Sequence, residues 1–180
     1  MRADAARNVE LVLTTGARML AQDPAASIAA IAAEAGVDRR TVYRRFASRD
    51  ELLAAVYQAR LDAIEAAIEA ARLREAPAPV ALHRYVEGII EVNRTWPVEL
   101  TRMRAEPAIR ERRQRAIVEV DAFLRRATDE GLMRPGMPDG WAGVVLGNLL
   151  HLAAQEMSEL TAAQAADVLV TTFLDGFGAR

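Results

Sequence analysis

Residues 27–53 read SIAAIAAEAGVDRRTVYRRFASRDELL, with a single glycine, Gly36, between two apolar-patterned segments. Apolar side chains recur at helical spacing on both sides of that glycine, which predicts two short helices. Ser27 and Asp38 occupy the positions of their N-caps, and Gly36 that of a left-handed residue ending the first helix. Ala32, four residues before the glycine, is small enough for the two helices to cross closely. Together these residues predict a helix-turn-helix.

The second of these helices is predicted to bury Val42 and Phe46 and to turn a basic face outward. From Gly36 to Arg49, five arginines and one aspartate give a local charge of +4 in a chain of net charge −2. Such an asymmetry suits a phosphate backbone, and a helix of this width fits the major groove of DNA. The predicted DNA contacts are Ser27, Asp38, Arg39, Arg40, Thr41, Tyr43, Arg44, Arg45 and Arg49. Under the alternative interpretation, these arginines only solvate a helix and the serines only cap helices.

Residues 4–60 resemble the N-terminal module of the TetR family of bacterial transcriptional regulators. The match runs from Ile31 to Leu53: an Ile-Ala pair, Ala-Gly-Val, a polar cap, Thr-Val-Tyr, Phe, then Ser, a basic residue, two acids and two leucines. The sequence departs from the family at Arg40, where a small residue is usual, at Arg45, where histidine is common, and at Arg49, where lysine is usual. The resemblance implies a phosphate contact at Arg49. It also implies a divergent helical C-terminal domain that binds a small molecule and dimerises through its last two helices.

Helix-forming residues and helical apolar spacing extend along the whole chain, so the predicted fold is all-α. We expect a three-helix helix-turn-helix domain at residues 1–47. A long fourth helix would join it to a helical effector-binding and dimerisation domain, the two together forming residues 48–180. The predicted helices cover residues 4–22, 28–35, 39–46, 48–74, 80–95, 98–104, 108–130, 141–159 and 161–177.

Two capping boxes and one apolar stripe help to place these helices. Ser48 with Glu51, and Thr161 with Gln164, have the spacing of a capping box. The apolar stripe of the first helix is predicted to consist of Val9, Leu13, Gly16, Ala17 and Leu20.

The last two helices are apolar on nearly all sides, and such helices must be covered on all sides. We therefore expect them to form a four-helix interface with a second copy of the chain. The alternative is that they are internal core helices of one chain. The predicted interface residues are Val145, Leu149, Leu152, Val168, Leu169, Phe173 and Phe177.

A ligand pocket would combine aromatic side chains with a few converging polar groups. Candidates occur on the fifth to eighth predicted helices, including a polar stripe on an otherwise apolar helix. They are Tyr85, Ile89, Asn93, Trp96, Met103, Phe123, Asn148, His151 and Gln155. Each of these residues has an alternative role in the core, at an interface or at a solvated edge.

Composition argues against several other classes of protein. The chain has no cysteine and only two histidines, so we expect no disulfide, metal site or cofactor. The sequence lacks nucleophile elbows, glycine-rich phosphate loops and metalloprotease motifs, so no enzymatic activity is predicted. No apolar segment reaches the roughly 20 residues of a membrane span, and we expect a cytoplasmic protein with no membrane partner.

The functional hypothesis is a homodimeric repressor that binds double-stranded operator DNA and is released by a small-molecule effector. The alternative is a helical protein-interaction or ligand-binding module that does not bind DNA. All 23 basic residues are arginines, so guanidinium groups must make any phosphate or base contact.

Overall fold

The computed structural model describes residues 2–98 and 107–179, and this part of the chain contains eight α-helices and no β-strand. The all-α prediction is therefore confirmed. The helix predicted over 98–104 lies, apart from its first residue, outside the described residues. The helices are α1 (Arg2–Gln22), α2 (Ile28–Glu34), α3 (Arg39–Arg45), α4 (Arg49–Ala71), α5 (Ala78–Thr95), α6 (Pro107–Asp129), α7 (Trp141–Glu156) and α8 (Ala162–Phe177).

The described residues form two compact units. One contains the chain up to Asp62 together with residues 95–98 and 107–109, and the other contains residues 63–94 and 110–179. The change from one unit to the other falls inside α4. The predicted domain division at residues 47 and 48 stays a prediction.

Two of the helix boundaries that differ from the predicted ones have a clear local reason. α4 ends at Ala71 rather than near residue 74, because Arg72 adopts a left-handed conformation with φ of 53°. α5 begins at Ala78, two residues before the predicted start, with Pro79 in its first turn. Proline is tolerated there because the first N–H groups of a helix have no intrahelical partner.

The face of α1 that enters the core is rotated from the predicted stripe in the first half of the helix. Val12 and Thr15 are buried, at 2 % and 8 % exposure, whereas Val9 and Leu13 are only partly buried. The second half of the stripe is confirmed, since Ala17 and Leu20 are buried.

Gly16 explains this rotation because it lies where α1 approaches two other helices. A Cβ at this position would lie 3.5 Å from Val56 on α4 and 3.6 Å from Ile31 on α2. Val12, Gly16 and Leu20 therefore form one line, at i, i+4 and i+8, against the core of the first unit.

Guanidinium groups fasten the ends of helices in both units. In the second unit, Arg126 on α6 donates hydrogen bonds to the carbonyls of Leu73 and Ala76, at 2.8 and 2.9 Å, just after the end of α4. Arg94 on α5 does the same for residues 157 and 160 after α7, at 2.6 and 2.9 Å. The carbonyls at helix ends lack intrahelical partners, and a cation is favourable there because of the helix dipole.

In the first unit, Arg60 on α4 binds the segment that follows α5. One of its terminal nitrogens donates to the carbonyls of Trp96 and Val98. These contacts hold the apolar side chains of both residues in the core, where they are 9 % and 4 % exposed.

A bidentate ion pair joins α4 to α6 within the second unit. Arg112 donates from Nε and Nη2 to the two carboxylate oxygens of Glu65, at 2.9 and 2.8 Å. The hydrogen bond from Arg112 lowers the pKa of Glu65 below its ordinary value, and partial burial opposes this only in part. Bidentate geometry of this kind is the strongest form of arginine–carboxylate contact.

We predict that Glu65→Gln destabilises the protein at neutral pH but not in acid. Because the folded-state pKa of Glu65 is lowered, its stabilisation is complete above the unfolded-state pKa and disappears as the pH falls through the folded-state value. The cost at pH 7 should be up to about 1 kcal/mol, since the pair is partly exposed. Urea unfolding at pH 7 and pH 3 measures the difference in free energy of unfolding between Glu65→Gln and the parent.

Glu69→Gln is the matched control, because Glu69 is exposed on the same helix. It should change neither curve. A difference between Glu65→Gln and the parent that has the same size at both pH values would contradict an electrostatic origin.

Candidate DNA-binding surface

Local hydrogen bonds at the ends of α2 build the turn. The Ser27 hydroxyl accepts a hydrogen bond from the Ala30 N–H at 3.1 Å, which confirms the predicted N-cap. At the other end, Gly36 has φ of 65°, the left-handed conformation predicted for it. The Val37 N–H donates to the Ala32 carbonyl at 3.0 Å and the Gly36 N–H to residue 33 at 3.1 Å, which completes a Schellman motif.

α3 begins three residues after this glycine. The Asp38 carboxylate accepts hydrogen bonds from the N–H groups of Arg40 and Thr41, at 2.9 and 3.2 Å, and so caps the helix as predicted. Val42 and Phe46 are 2 % and 4 % exposed, which confirms the predicted buried side of α3. These two anchors determine which side of α3 faces outward.

The opposite side of α3 carries a basic face, which we define as Arg39, Arg40, Tyr43 and Arg44. All four side chains are exposed. The Arg39 guanidinium lies over the Tyr43 ring, 5.1 Å from its centroid, and this cation–π contact orients it. No described residue forms an ion pair with the three guanidinium groups of this face, so they are available to an external anion.

Arg45 differs from the other arginines of α3. Its guanidinium lies over the Phe46 ring, 5.4 Å from the centroid. It also lines an open cavity of about 590 Å³ with Glu10, Asp62 and Trp96 of the same unit. Thr41 is partly buried beside the basic face.

Arg49, the predicted phosphate contact at the start of α4, also has a structural role that the sequence did not predict. Its Nε donates to the Ala26 carbonyl at 3.2 Å, and Nη2 donates to the Pro24 carbonyl. The only signal in the sequence was the position itself, because a cation at a helix N-terminus opposes the helix dipole. This clamp places Arg49 beside the N-terminus of α2, where Ser27 was also predicted to meet DNA.

The Ser48 cap of α4 differs slightly from the predicted box. The Ser48 hydroxyl accepts from the Glu51 N–H at 3.2 Å, as expected. The Glu51 carboxylate, however, accepts from the N–H of Ala47 at 2.9 Å, one residue before the cap. The box at Thr161 and Gln164 is confirmed in full.

The predicted ligand-pocket residues lie in different surroundings, and the pocket itself stays a prediction. Tyr85, Ile89 and Phe123 are buried in the core of the second unit, whereas Trp96 belongs to the first unit. Met103 lies outside the described residues. Burial and the nearby Asp121 carboxylate raise the pKa of Tyr85, so its hydroxyl stays neutral.

The polar members of that predicted set contact the backbone or one another on α7. Asn93 on α5 donates to the Leu150 carbonyl at 3.3 Å. The polar stripe of α7 faces outward: Asn148 donates to the Val144 carbonyl at 2.8 Å, and Gln155 lies 3.1 Å from His151 on the same helix. The sequence placed these residues on one helical stripe but did not show that the stripe is exposed.

The predicted interface residues divide between the core and the surface of one chain. Leu169 and Phe173 are 3 % and 1 % exposed in the protomer's own core, so they do not offer surface to a second copy. Val145, Leu149 and Phe177 are partly buried. The large apolar side chains left exposed on α7 and α8 are Trp141, Val144, Leu152 and Val168, at 51 %, 58 %, 52 % and 44 %.

None of the helices in the described ranges is long and apolar enough to cross a membrane. The surroundings of α3 instead have three features: the left-handed Gly36, the N-caps Ser27 and Asp38, and the outward basic face. A short helix presented in this way defines a helix-turn-helix DNA-binding protein.

Comparison with known proteins identifies the family. Residues 12–56 match the model of the bacterial regulatory proteins of the tetR family. The HTH-type transcriptional repressor LfrR of Mycolicibacterium smegmatis is 32 % identical over 179 residues, covering 94 % of this chain and 90 % of that protein. The chain therefore belongs to the TetR family, and it is a DNA-binding transcriptional regulator.

Solved structures agree with this assignment. LfrR from Mycobacterium smegmatis in complex with proflavine is 28 % identical, with a TM-score of 0.74 over 95 % of this chain and 97 % of that one. The ketosteroid transcriptional regulator KstR2 of Mycobacterium tuberculosis has a TM-score of 0.79 at 21 % identity, over 97 % and 96 % of the two chains. The second likeness shows the shared fold.

We predict that substitution by alanine destabilises the protein at Gly36 but not at Gly16. Gly36→Ala should destabilise the protein by about 1–2 kcal/mol, because an L-residue is strained at this positive φ. Gly16→Ala should be neutral or stabilise by up to about 1 kcal/mol, because the new methyl makes only ordinary contacts and favours the helix. Urea unfolding of both variants measures the difference, and changes of equal sign would contradict it.

We predict that Arg49→Ala lowers stability even without DNA. Losing two hydrogen bonds from a charged group to backbone carbonyls should cost about 1–3 kcal/mol of unfolding free energy. Arg40→Ala is the matched control, because that side chain is exposed on the basic face and should leave stability unchanged. Equal unfolding curves for Arg49→Ala and the parent would leave Arg49 with no structural role.

Proposed function

We propose that the protein is a homodimeric repressor that binds an operator through α3 and leaves it when a small-molecule effector binds. The observation that carries this proposal is the basic face of α3, whose guanidinium groups have no ion-pair partner among the described residues. Unpaired guanidinium groups on one short helix repel one another. Binding to DNA phosphates would neutralise them and release the counterions of the phosphates, which favours binding. A regulator of bacterial DNA would act in the cytoplasm, by binding rather than by catalysis.

Within the basic face, we assign base reading to arginine and phosphate binding to the hydroxyl groups. Arg40 lies in the first turn of α3, the part of a recognition helix that reaches base edges. A guanidinium there pairs bidentately with guanine O6 and N7. Tyr43 orients Arg39 with its ring, which leaves its hydroxyl for a phosphate. Ser27, Thr41, Arg44 and Arg49 would add further contacts at the groove edges.

The exposed apolar side chains of α7 and α8 support a dimer. Trp141, Val144, Leu152 and Val168 are large apolar side chains left exposed on these two helices, where a second copy could cover them. Residues 137–179 contain five acids and no arginine, so this surface would not compete for DNA. A two-fold dimer would present two copies of α3 to successive major grooves, about 34–36 Å apart.

An effector is supported by a relative. LfrR, at 28 % identity, has been solved in complex with proflavine, a small molecule. For this chain we propose that a small molecule favours one conformer of the protein over another. It can shift that equilibrium only by its difference in affinity for the two.

We predict that Arg40→Ala changes sequence preference, whereas Tyr43→Phe weakens binding to all sequences alike. Fragments selected from genomic DNA would supply the operator, which should contain two inverted half-sites with centres about 10–10.5 base pairs apart or a multiple of that. Arg40→Ala should cost about 1–3 kcal/mol and relax the preference at one base pair of each half-site. Fluorescence anisotropy against the operator and single-base variants measures both effects.

The same titrations at several salt concentrations test DNA binding itself. The affinity should fall steeply with salt, with a slope of roughly 0.9 for each phosphate neutralised. Arg84→Ala is the matched control, because this exposed arginine lies on α5 of the second unit and should leave affinity unchanged. Selection of single half-sites would argue against a dimer. An operator affinity that does not depend on salt and is not lowered by Arg40→Ala would contradict DNA binding through α3.

A further inference from the structure

A groove of about 600 Å³ lies in the second unit between the turn after α4 and one side of α6. Its floor is apolar: Leu73 and Phe123 reach it from the core at 2 % exposure each, and Val118 is 53 % exposed. Three guanidinium groups stand around this floor, those of Arg74, Arg115 and Arg126. The groove thus combines an apolar base with a basic rim.

The three arginines are held to different degrees. Arg126 is fixed and its charge is paired, since it donates to two backbone carbonyls and to the Glu130 carboxylate. Its guanidinium also lies 5.5 Å from the centroid of the Phe123 ring. Arg74 pairs with Glu119 at 3.3 Å, and its side chain is 80 % exposed. Arg115 pairs with Glu111 at 2.9 Å, with both side chains more than 60 % exposed.

Exposed ion pairs of this kind contribute little, because water competes for both charges. A ligand carboxylate could therefore replace Glu111 or Glu119 as the partner of its arginine at small cost. The planar guanidinium offers two parallel donors to a carboxylate, which favours such an exchange. A cationic ligand could instead bind only to the carboxylates of Glu111 and Glu119, beside the guanidinium groups that they already neutralise.

We infer that this groove binds a small organic anion with an apolar body, its carbon atoms on the exposed Val118 and Ala122 and its carboxylate between Arg74 and Arg115. Calling this anion the effector rests on the proposed function. The groove is lined both by residues directly after α4 and by α6, so an occupant would contact both. α4 is also the helix whose first half belongs to the unit that contains α3.

The test uses three eight-carbon probes on the full chain: octanoate, octylammonium and octanol. Isothermal titration calorimetry should show one octanoate per chain and weaker binding of the other two. The double variant Arg74→Gln with Arg115→Gln should weaken octanoate binding by about tenfold or more, because charge-assisted hydrogen bonds are lost. Arg125→Gln, an exposed arginine of the same helix, should leave the affinity unchanged.

A second variant covers the case in which the double variant does not fold. Val118→Glu places a carboxylate on an exposed part of the floor, and it should expel octanoate while retaining the parent's circular dichroism spectrum. Binding of octylammonium as tight as that of octanoate, or octanoate binding unaffected by Val118→Glu, would overturn the anion site.

Operator affinity separates this inference from the proposed function. Octanoate should lower the affinity of the parent for the selected operator but not that of Val118→Glu. Octanoate binding without any change in operator affinity would overturn the effector assignment. Salt-dependent operator binding in the absence of octanoate would still support the regulator.

Discussion

The basic face of α3 depends on one constraint: residue 36 has to adopt a left-handed backbone conformation. With φ of 65°, Gly36 lets the N–H groups of residues 36 and 37 turn back onto the last carbonyls of α2. The chain then leaves α2 in a fixed direction, and Asp38 caps α3 immediately. α3 has only seven residues, too few to be stable alone, so its orientation comes from this corner and from the burial of Val42 and Phe46.

A chain without lysine uses arginine for two distinct purposes, and the surroundings decide which. Where the ends of helices leave carbonyls without partners, Arg60, Arg94 and Arg126 satisfy them with several donors each. On α3, the guanidinium groups of Arg39, Arg40 and Arg44 form no ion pair with a described residue, and they stay exposed to solvent and to any external anion. Arg49 lies between these cases, because it donates to two carbonyls beside the surface predicted to meet DNA.

The parts of the fold that local chemistry determines could be predicted from the sequence. Ser27, Gly36 and Asp38 act through atoms two to four residues away, so their roles follow from spacing alone. The buried side of α1 could not be predicted, because it depends on where Ile31 and Val56 approach Gly16. The arginine clamps were equally invisible, since their partners are backbone carbonyls distant in sequence and identical for every residue type.

Contacts distant in sequence, which spacing does not reveal, matter more for the predicted pocket and interface than for the predicted DNA contacts. Helical spacing shows which residues share a side of a helix but not which side the rest of the protein covers. On α3 two buried anchors resolved this question within seven residues. On α7 and α8, apolar residues occur all round, and only the structure separates core residues such as Leu169 from exposed ones such as Val168.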